Sequence, residues 1–267
     1  MKEYPILEVK NLTIQYENEE GTVKANRAVS FELYENEITG IVGYNASGKS
    51  TVLKAIMGLL LQEGTIEDGQ ILYKGKDITE RKDVDFYEYQ NRMKEIRGKE
   101  IAMIFQNPTS YFDPTMKISK QIYEALPKDI PLLKRKSHAL ELLNEFHVQD
   151  PSKVLKSYPM QLSGGTLQKI MIALALMHKP NILLCDEPFT ALDEISTQEM
   201  IEMILKYKQE TKMSVIFVSH DIELVKKLCD NAYLMKDGEI SSCYKVPEMF
   251  EEPTNQDVID FIAMKED

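Results

Sequence analysis

The sequence predicts an α/β fold: an antiparallel β layer leads into a parallel sheet with crossover helices, interrupted by a helical insertion. Three observations predict it. An apolar run at residues 38–42 passes through a glycine-bearing loop into an apolar-periodic segment at 51–58, which reads as strand, loop and helix. Short apolar strands at 182–185, 215–218 and 232–235 alternate with helical stretches at about 194–210 and 221–228, the pattern of a parallel sheet. Ahead of the loop, residues 7–16 alternate apolar and polar side chains in strand fashion.

Taken in order, residues 17–21 turn the first strand, and 22–33 hold further strand ending in Val29-Ser30-Phe31-Glu32-Leu33. Residues 34–37 turn into the strand that feeds the loop, and 69–75 read as part of a hairpin. A helix is expected at 83–97, with Asp83 as its N-cap and Gly98 just past its end. A short buried strand follows at 101–105. Residues 117–156 are helical in pieces, broken by Leu126, Pro127, Asp129 and Pro131 and again by Asp150-Pro151. A further helix is expected at 166–177, and one or two short acidic helices at 247–267. There is no internal repeat, linker or low-complexity stretch.

The chain has 267 residues, 43% hydrophobic and 28% charged, enough for a sizeable core in one large domain or two modest ones. Its net charge of −11 disfavours nucleic acid as the main partner, because a duplex-binding protein presents a basic field. Cys185, Cys229 and Cys243 lack CxxC spacing and read as thiols of a reducing compartment, not as metal ligands. The first residues lack the apolar core of a signal peptide. The longest apolar run, around 170–177, is too short to span a bilayer, so membrane association is expected only through a partner.

Three motifs carry chemistry. Gly43-Tyr44-Asn45-Ala46-Ser47-Gly48-Lys49-Ser50, followed by Thr51, has phosphate-loop spacing between a strand and a helix. Backbone N–H groups of such a loop curl around an anion and the helix turns its positive end toward it. In such a loop Lys49 would reach the β- and γ-phosphates, and the Ser50 hydroxyl would ligate Mg²⁺. Ala46 stands where many such loops carry glycine, and helical or bridging backbone angles there cost alanine little. The second motif, Asn181-Ile182-Leu183-Leu184-Cys185-Asp186-Glu187, is an apolar strand ending in two acids. Beside a phosphate loop, Asp186 suits Mg²⁺ and Glu187 suits polarising a water. The third, Leu162-Ser163-Gly164-Gly165, stands before a helix, either as a plain Ser N-cap or as a second anion-binding helix start. A second anion site is one too many for one nucleotide unless it serves another subunit.

These three motifs, with His220 in Val218-Ser219-His220-Asp221, occur in an order that resembles the nucleotide-binding subunit of ATP-binding cassette (ABC) transporters, over nearly the whole chain. The resemblance implies a single ABC ATPase domain, 1–267, with a RecA-like mixed-sheet core. Residues of about 1–82 and 178–267 would form the catalytic β lobe, and about 83–177 the Q-loop strand and helical subdomain. It assigns Tyr16 to stacking on adenine and Gln106 to the Q-loop, at the metal and the attacking water. Ser163, Gly164 and Gly165 would contact the ATP of a partner subunit. Ala191-Leu192-Asp193 matches the D-loop, placing Asp193 at the nucleotide, and His220 matches the switch histidine at the γ-phosphate. ATP and Mg²⁺ are the implied cofactors, with Glu187, His220 and Gln106 catalytic.

Ile104-Phe105-Gln106-Asn107-Pro108-Thr109-Ser110-Tyr111-Phe112-Asp113-Pro114 and Tyr158-Pro159-Met160-Gln161 before the third motif are similar to the oligopeptide, dipeptide and nickel import branch. The chain departs from that branch at Thr166, Lys169, Phe189 and Asn255-Gln256-Asp257, and lacks the cysteine-bearing C-terminal extension of some members, so no iron–sulfur cluster is expected. The resemblance implies a peripheral protein on the cytoplasmic face of the membrane. Its partners would be a second ATPase subunit, a paralogue more than an identical copy, with transmembrane permeases and, indirectly, a solute-binding protein. The alternative is a soluble cassette ATPase acting on nucleic acid or ribosomes; coiled-coil arms, zinc insertions or tandem cassettes would mark it, and the sequence has none.

Overall fold

Two β-sheets organise the chain, seen in a computed structural model that describes residues 4–18, 21–60, 64–80, 85–251 and 253–266. The first comprises β1 (Leu7–Asn18), β2 (Gly21–Leu33), β4 (Gly64–Tyr73) and β5 (Lys76–Asp77), in the order β2-β1-β4-β5 and antiparallel throughout. The second comprises β3 (Ile38–Gly43), β6 (Ile101–Ile104), β7 (Ile182–Asp186), β8 (Ser214–Val218), β9 (Asn231–Lys236) and β10 (Glu239–Lys245). Its order is β10-β9-β3-β8-β7-β6, parallel except where β10 runs against β9. This mixed sheet beside an antiparallel layer is the expected α/β architecture.

The central strands read as unbroken apolar runs because both faces of their sheet are covered. Successive residues of β7 divide between two cores. Ile182 and Leu184 face the antiparallel sheet and α1 (Lys49–Ile56), while Leu183 and Cys185 face the helices on the other side. The second core is closed by α6 (Gly164–Leu176), α7 (Glu194–Thr211) and α8 (Ile222–Leu228). The insertion between β6 and α6 consists of α3 (Ile118–Ala125), α4 (Leu132–Glu145) and α5 (Pro151–Val154), broken at the expected prolines. The chain ends in α9 (Val246–Glu251) and α10 (Gln256–Glu266).

Three expectations change. Helix α2 (Phe86–Ile96) starts later than 83: Asp85 caps it by accepting from Glu88 N at 3.0 Å, and Asp83 lies outside the described residues. Helix α6 starts at Gly164, not Thr166, because Ser163 caps it and both glycines fit its first turn. Strand β10 was not foreseen. It is an edge strand of mixed polarity, Glu239-Ile240-Ser241-Ser242-Cys243-Tyr244-Lys245, held by pairing with β9 and not by a buried face. Among the described residues, no helix is long and apolar enough to cross a membrane.

Candidate nucleotide site and catalytic cluster

Glycine is required at both ends of the loop. Gly43 closes β3 at φ 143°, and a Cβ there would lie 1.9 Å from Met235 O on the neighbouring strand. Gly48 opens α1 at φ 96°, where a Cβ would meet Ala25 O at 2.4 Å. Strand β2 therefore presses on the loop, and the fully buried Asn26 donates from Nδ2 to Gly48 O at 3.3 Å. Asn45 and Ala46 are exposed at the tip, while Ser47 is buried and donates its N–H to Tyr44 O at 3.3 Å. Ala46 takes φ 59°, so it occupies the left-handed region and not the helical or bridging angles expected of it. The tight return toward α1 forces this conformation, which costs a Cβ-bearing residue about 1–2 kcal/mol.

Lys49, largely buried, folds back into the loop. Its Nζ donates to Tyr44 O at 2.7 Å, Gly43 O at 3.0 Å and Ser47 Oγ at 3.4 Å. A full positive charge is thus fixed beside the start of α1. There the N–H groups of the first turn, Lys49, Ser50 and Thr51 among them, have no acceptor within the helix. Charge and helix dipole act together on any anion placed there.

Ser50 Oγ donates to Asp186 Oδ1 at 2.7 Å, joining the first turn of α1 to the end of β7. Asp186 is 3% exposed, and burial pushes its pKa up, opposed by the Ser50 hydrogen bond and by Lys54 and Lys49 and reinforced by Glu187. A buried carboxylate touching a hydroxyl is a pair of hard oxygen donors that a small divalent cation suits. Among the described residues, no group of three His, Cys, Asp or Glu could hold a metal alone. The donor pair therefore fits Mg²⁺ bound together with phosphate oxygens.

Glu187, next along, takes φ 46° ahead of Pro188. Its N–H donates to Val218 O at 3.0 Å, and its carbonyl accepts from Thr190 Oγ1 at 2.9 Å. The turn aims its carboxylate at two side chains from other strands. Gln106, after β6, donates from Nε2 to Glu187 Oε2 at 3.0 Å, and His220, after β8, places Nδ1 3.0 Å from Oε1. The structure thus brings Gln106, Glu187 and His220 into one cluster, next to the Ser50–Asp186 pair. The Gln106 side chain thus hydrogen-bonds Glu187 and not the Ser50–Asp186 pair expected to take the metal.

The remaining predicted residues lie elsewhere. Ser163 Oγ accepts from Thr166 N at 3.2 Å, and Asp193 caps α7, accepting from Ser196 N at 2.9 Å. Gly164 and Gly165 rest on the turn after Glu187: a Cβ on Gly165 would lie 3.1 Å from Ala191 O. Tyr16, half-buried, pairs with Val23 and Gly64 and lies across Gly64. Among the described residues, none of Tyr16, Ser163 and Asp193 hydrogen-bonds to Ser50, Asp186 or Glu187.

Sequence reasoning missed four supports. Asn26 braces Gly48. Arg97 ties the far end of α1, donating from Nε to Met57 O at 2.7 Å and from Nη2 to Gly58 O at 2.8 Å. Phe261 of α10 packs edge-on against Tyr44 of the loop, with ring centroids 5.7 Å apart. Gln168 of α6 donates to Pro188 O at 2.6 Å. Only Gln168 left a trace in the sequence, as a polar residue between Leu167 and the apolar run that follows Lys169.

A strand, a phosphate-shaped loop and a helix, with an acid pair at the end of a parallel strand one place removed in the same sheet, define a P-loop nucleoside triphosphatase. The family model described as ABC transporter matches residues 26–190. The dipeptide transport ATP-binding protein of Lactococcus lactis subsp. cremoris is 37% identical over 256 residues, 95% of this chain and 71% of that protein. The oligopeptide transport ATP-binding protein of Bacillus subtilis is 38% identical over 251 residues, 93% of this chain and 68% of that protein. A solved ATP-binding cassette, described as the dimeric post-hydrolysis state bound to ADP and Pi, aligns with TM-score 0.76 and 26% identity, covering 90% of this chain and 98% of that one. The chain belongs to the ABC transporter family.

Proposed function

We propose that this chain is the ATP-hydrolysing subunit that energises an ABC importer of peptides. The observation that carries the reading is the Gln106–Glu187–His220 cluster beside the Ser50–Asp186 pair. Family membership and relatives named for dipeptide and oligopeptide transport give the system and the solute class. Nickel or a metal chelate belongs to the same branch of importers and is the less favoured cargo.

In this reading the loop amides of residues 43–48 and Lys49 bind the β- and γ-phosphates, with Ser50 and Thr51 at the helix start and Tyr16 stacking on adenine. Ser50 and Asp186 would hold Mg²⁺, with Gln106 joining them once nucleotide is bound, and the ion would neutralise phosphate charge. Glu187 accepts the proton of the attacking water while Gln106 and His220 hold its carboxylate in place. Ser163, Gly164, Gly165 and Asp193 serve the nucleotide of a second ATPase subunit packed head to tail. A paralogue fits that role better than an identical copy. The helical lobe at 83–177 carries the permease contacts, and the protein sits peripherally on the cytoplasmic face of the membrane, linked through the permeases to a solute-binding protein.

The test is Glu187→Gln, which keeps side-chain size and removes the base. Phosphate release by the chain with its partner subunit is expected to fall by about two to four orders of magnitude. ATP and Mg²⁺ still bind, so ATP, but not ADP, traps a dimer on size-exclusion chromatography. Unchanged hydrolysis and no trapped dimer would overturn the reading.

A further inference from the structure

Gln168 is fully buried in the fifth position of α6, and the other buried side chains of that helix are apolar. Its amide is half paired. Nε2 donates to Pro188 O at 2.6 Å, while Oε1 has no hydrogen-bond partner among the described residues. A buried unpaired acceptor works against stability, and an apolar side chain of the same volume avoids that cost. The amide therefore contributes through what it holds, and what it holds is the peptide next to Glu187.

That peptide needs holding. Glu187 adopts φ 46° immediately before a proline, a conformation that persists only when its surroundings over-determine it. Two of its restraints come from the sheet and the turn themselves, Glu187 N to Val218 O and Thr190 Oγ1 to Glu187 O. The Gln168 bond comes from another element. It fixes the carbonyl of Pro188, and so the rotation of the turn from which the Glu187 carboxylate reaches Gln106 and His220. The helix that carries Gln168 is seated on the same turn by Gly165, which approaches Ala191 O closely.

We propose that Gln168 is a positioning residue for hydrolysis: its bond to Pro188 O sets the direction of the Glu187 carboxylate. This rests on the reading of Glu187 as the base. The test uses the chain with its partner ATPase and compares Gln168→Met, which keeps volume and loses the donor, with Gln168→Glu, which keeps shape and turns an acceptor toward Pro188 O. Both are expected to lower kcat for ATP by about ten- to a hundredfold, the effect of a base misplaced by roughly an ångström. KM for ATP should stay within about twofold, since ground-state binding is untouched. The melting temperature of Gln168→Met should change little, because the unpaired Oε1 is removed while Pro188 O loses its donor, and the two costs are comparable. In a Glu187→Gln chain, Gln168→Met should add no further loss, because the residue acts through the group already removed.

Wild-type kcat in both variants, or a multiplicative loss in the Glu187→Gln background, would overturn the proposal. So would a kcat loss matched by a fall in melting temperature, which marks a merely structural role. If the methionine variant does not fold, then the amide is structural and the proposal also fails. Failure of the functional reading looks different, since Glu187→Gln alone would then leave hydrolysis unchanged.

Discussion

His220 Nδ1 lies 3.0 Å from Glu187 Oε1, although the two residues follow different strands of the parallel sheet. Strands β7 and β8 are adjacent and in register, with Asp186 opposite Val218, so the residues that follow them emerge side by side. Ligand chemistry in open α/β sheets gathers at the carboxyl ends of strands for this reason. Glu187 is mostly shielded while the His220 side chain is half exposed, so the histidine is the member of the pair that is free to respond to a bound anion.

The first prediction tests that pair. His220→Ala removes one of the two side chains that restrain the carboxylate and leaves the loop, Lys49, Ser50 and Asp186 untouched. ATP affinity, measured by fluorescent-nucleotide titration, is expected to stay near wild type. Single-turnover hydrolysis is expected to fall about a hundredfold, as for a misoriented base. Parallel loss of binding and turnover would place His220 in loop structure instead.

Ala46 supplies a second prediction. At φ 59° and exposed at the loop tip, it bears left-handed strain without a packing role. Ala46→Gly removes about 1–2 kcal/mol of strain and adds about 0.4–1 kcal/mol of unfolded-state entropy, so the net change should be near zero or mildly stabilising. Ala46→Val puts a β-branched side chain in a region it rarely adopts and should lower the melting temperature clearly. Equal melting temperatures for the glycine and valine variants would show that the backbone relaxes out of the left-handed region.

What was legible in the sequence follows from how each feature is encoded. Residues 43–50 were legible because loop, charge and helix start are contiguous, and the strand ending in Asp186-Glu187 because its four apolar residues are buried on both faces. Strand β10 was not legible, because pairing and not burial makes it a strand. The left-handed turn at Ala46 was misread because spacing reports residue type and not dihedral angle. The bonds from Asn26 to Gly48, Arg97 to α1 and Gln168 to Pro188 span 22, about 40 and 20 residues, and no local pattern announces such partners. Departures from the importer branch were absorbed locally: Phe189 packs against Phe217, Lys169 pairs with Glu199 at 3.1 Å, and Asp257 accepts from Lys236 at 2.5 Å, anchoring α10.

The last prediction concerns the cost of keeping Asp186 ionised. Burial is the largest influence on its carboxyl and raises its pKa above the unfolded value, outweighing the Ser50 hydrogen bond and the attraction of Lys54 and Lys49. The folded chain therefore holds a proton on this group more readily than the unfolded chain does. The stability this gives is fully present below the unfolded carboxylate value of about 3.9 and is lost as pH rises through the folded-state value. At neutral pH the ionised group is a net burden on the nucleotide-free protein. Asp186→Asn removes the charge, and its side-chain oxygen can still accept from Ser50. The variant should melt at a higher temperature than wild type near pH 8, and the gap should narrow as pH falls toward the folded-state value. With ATP and Mg²⁺ present the order should reverse, because wild type gains stability from binding in proportion to RT ln(1 + [L]/Kd), while the variant has lost a hard anionic donor. Thermal melts across pH, with and without Mg²⁺ and ATP, measure both halves. A variant less stable than wild type without nucleotide would mean that Lys49 and Lys54 already neutralise Asp186. A variant stabilised as much as wild type by Mg²⁺ and ATP would remove Asp186 from the metal site.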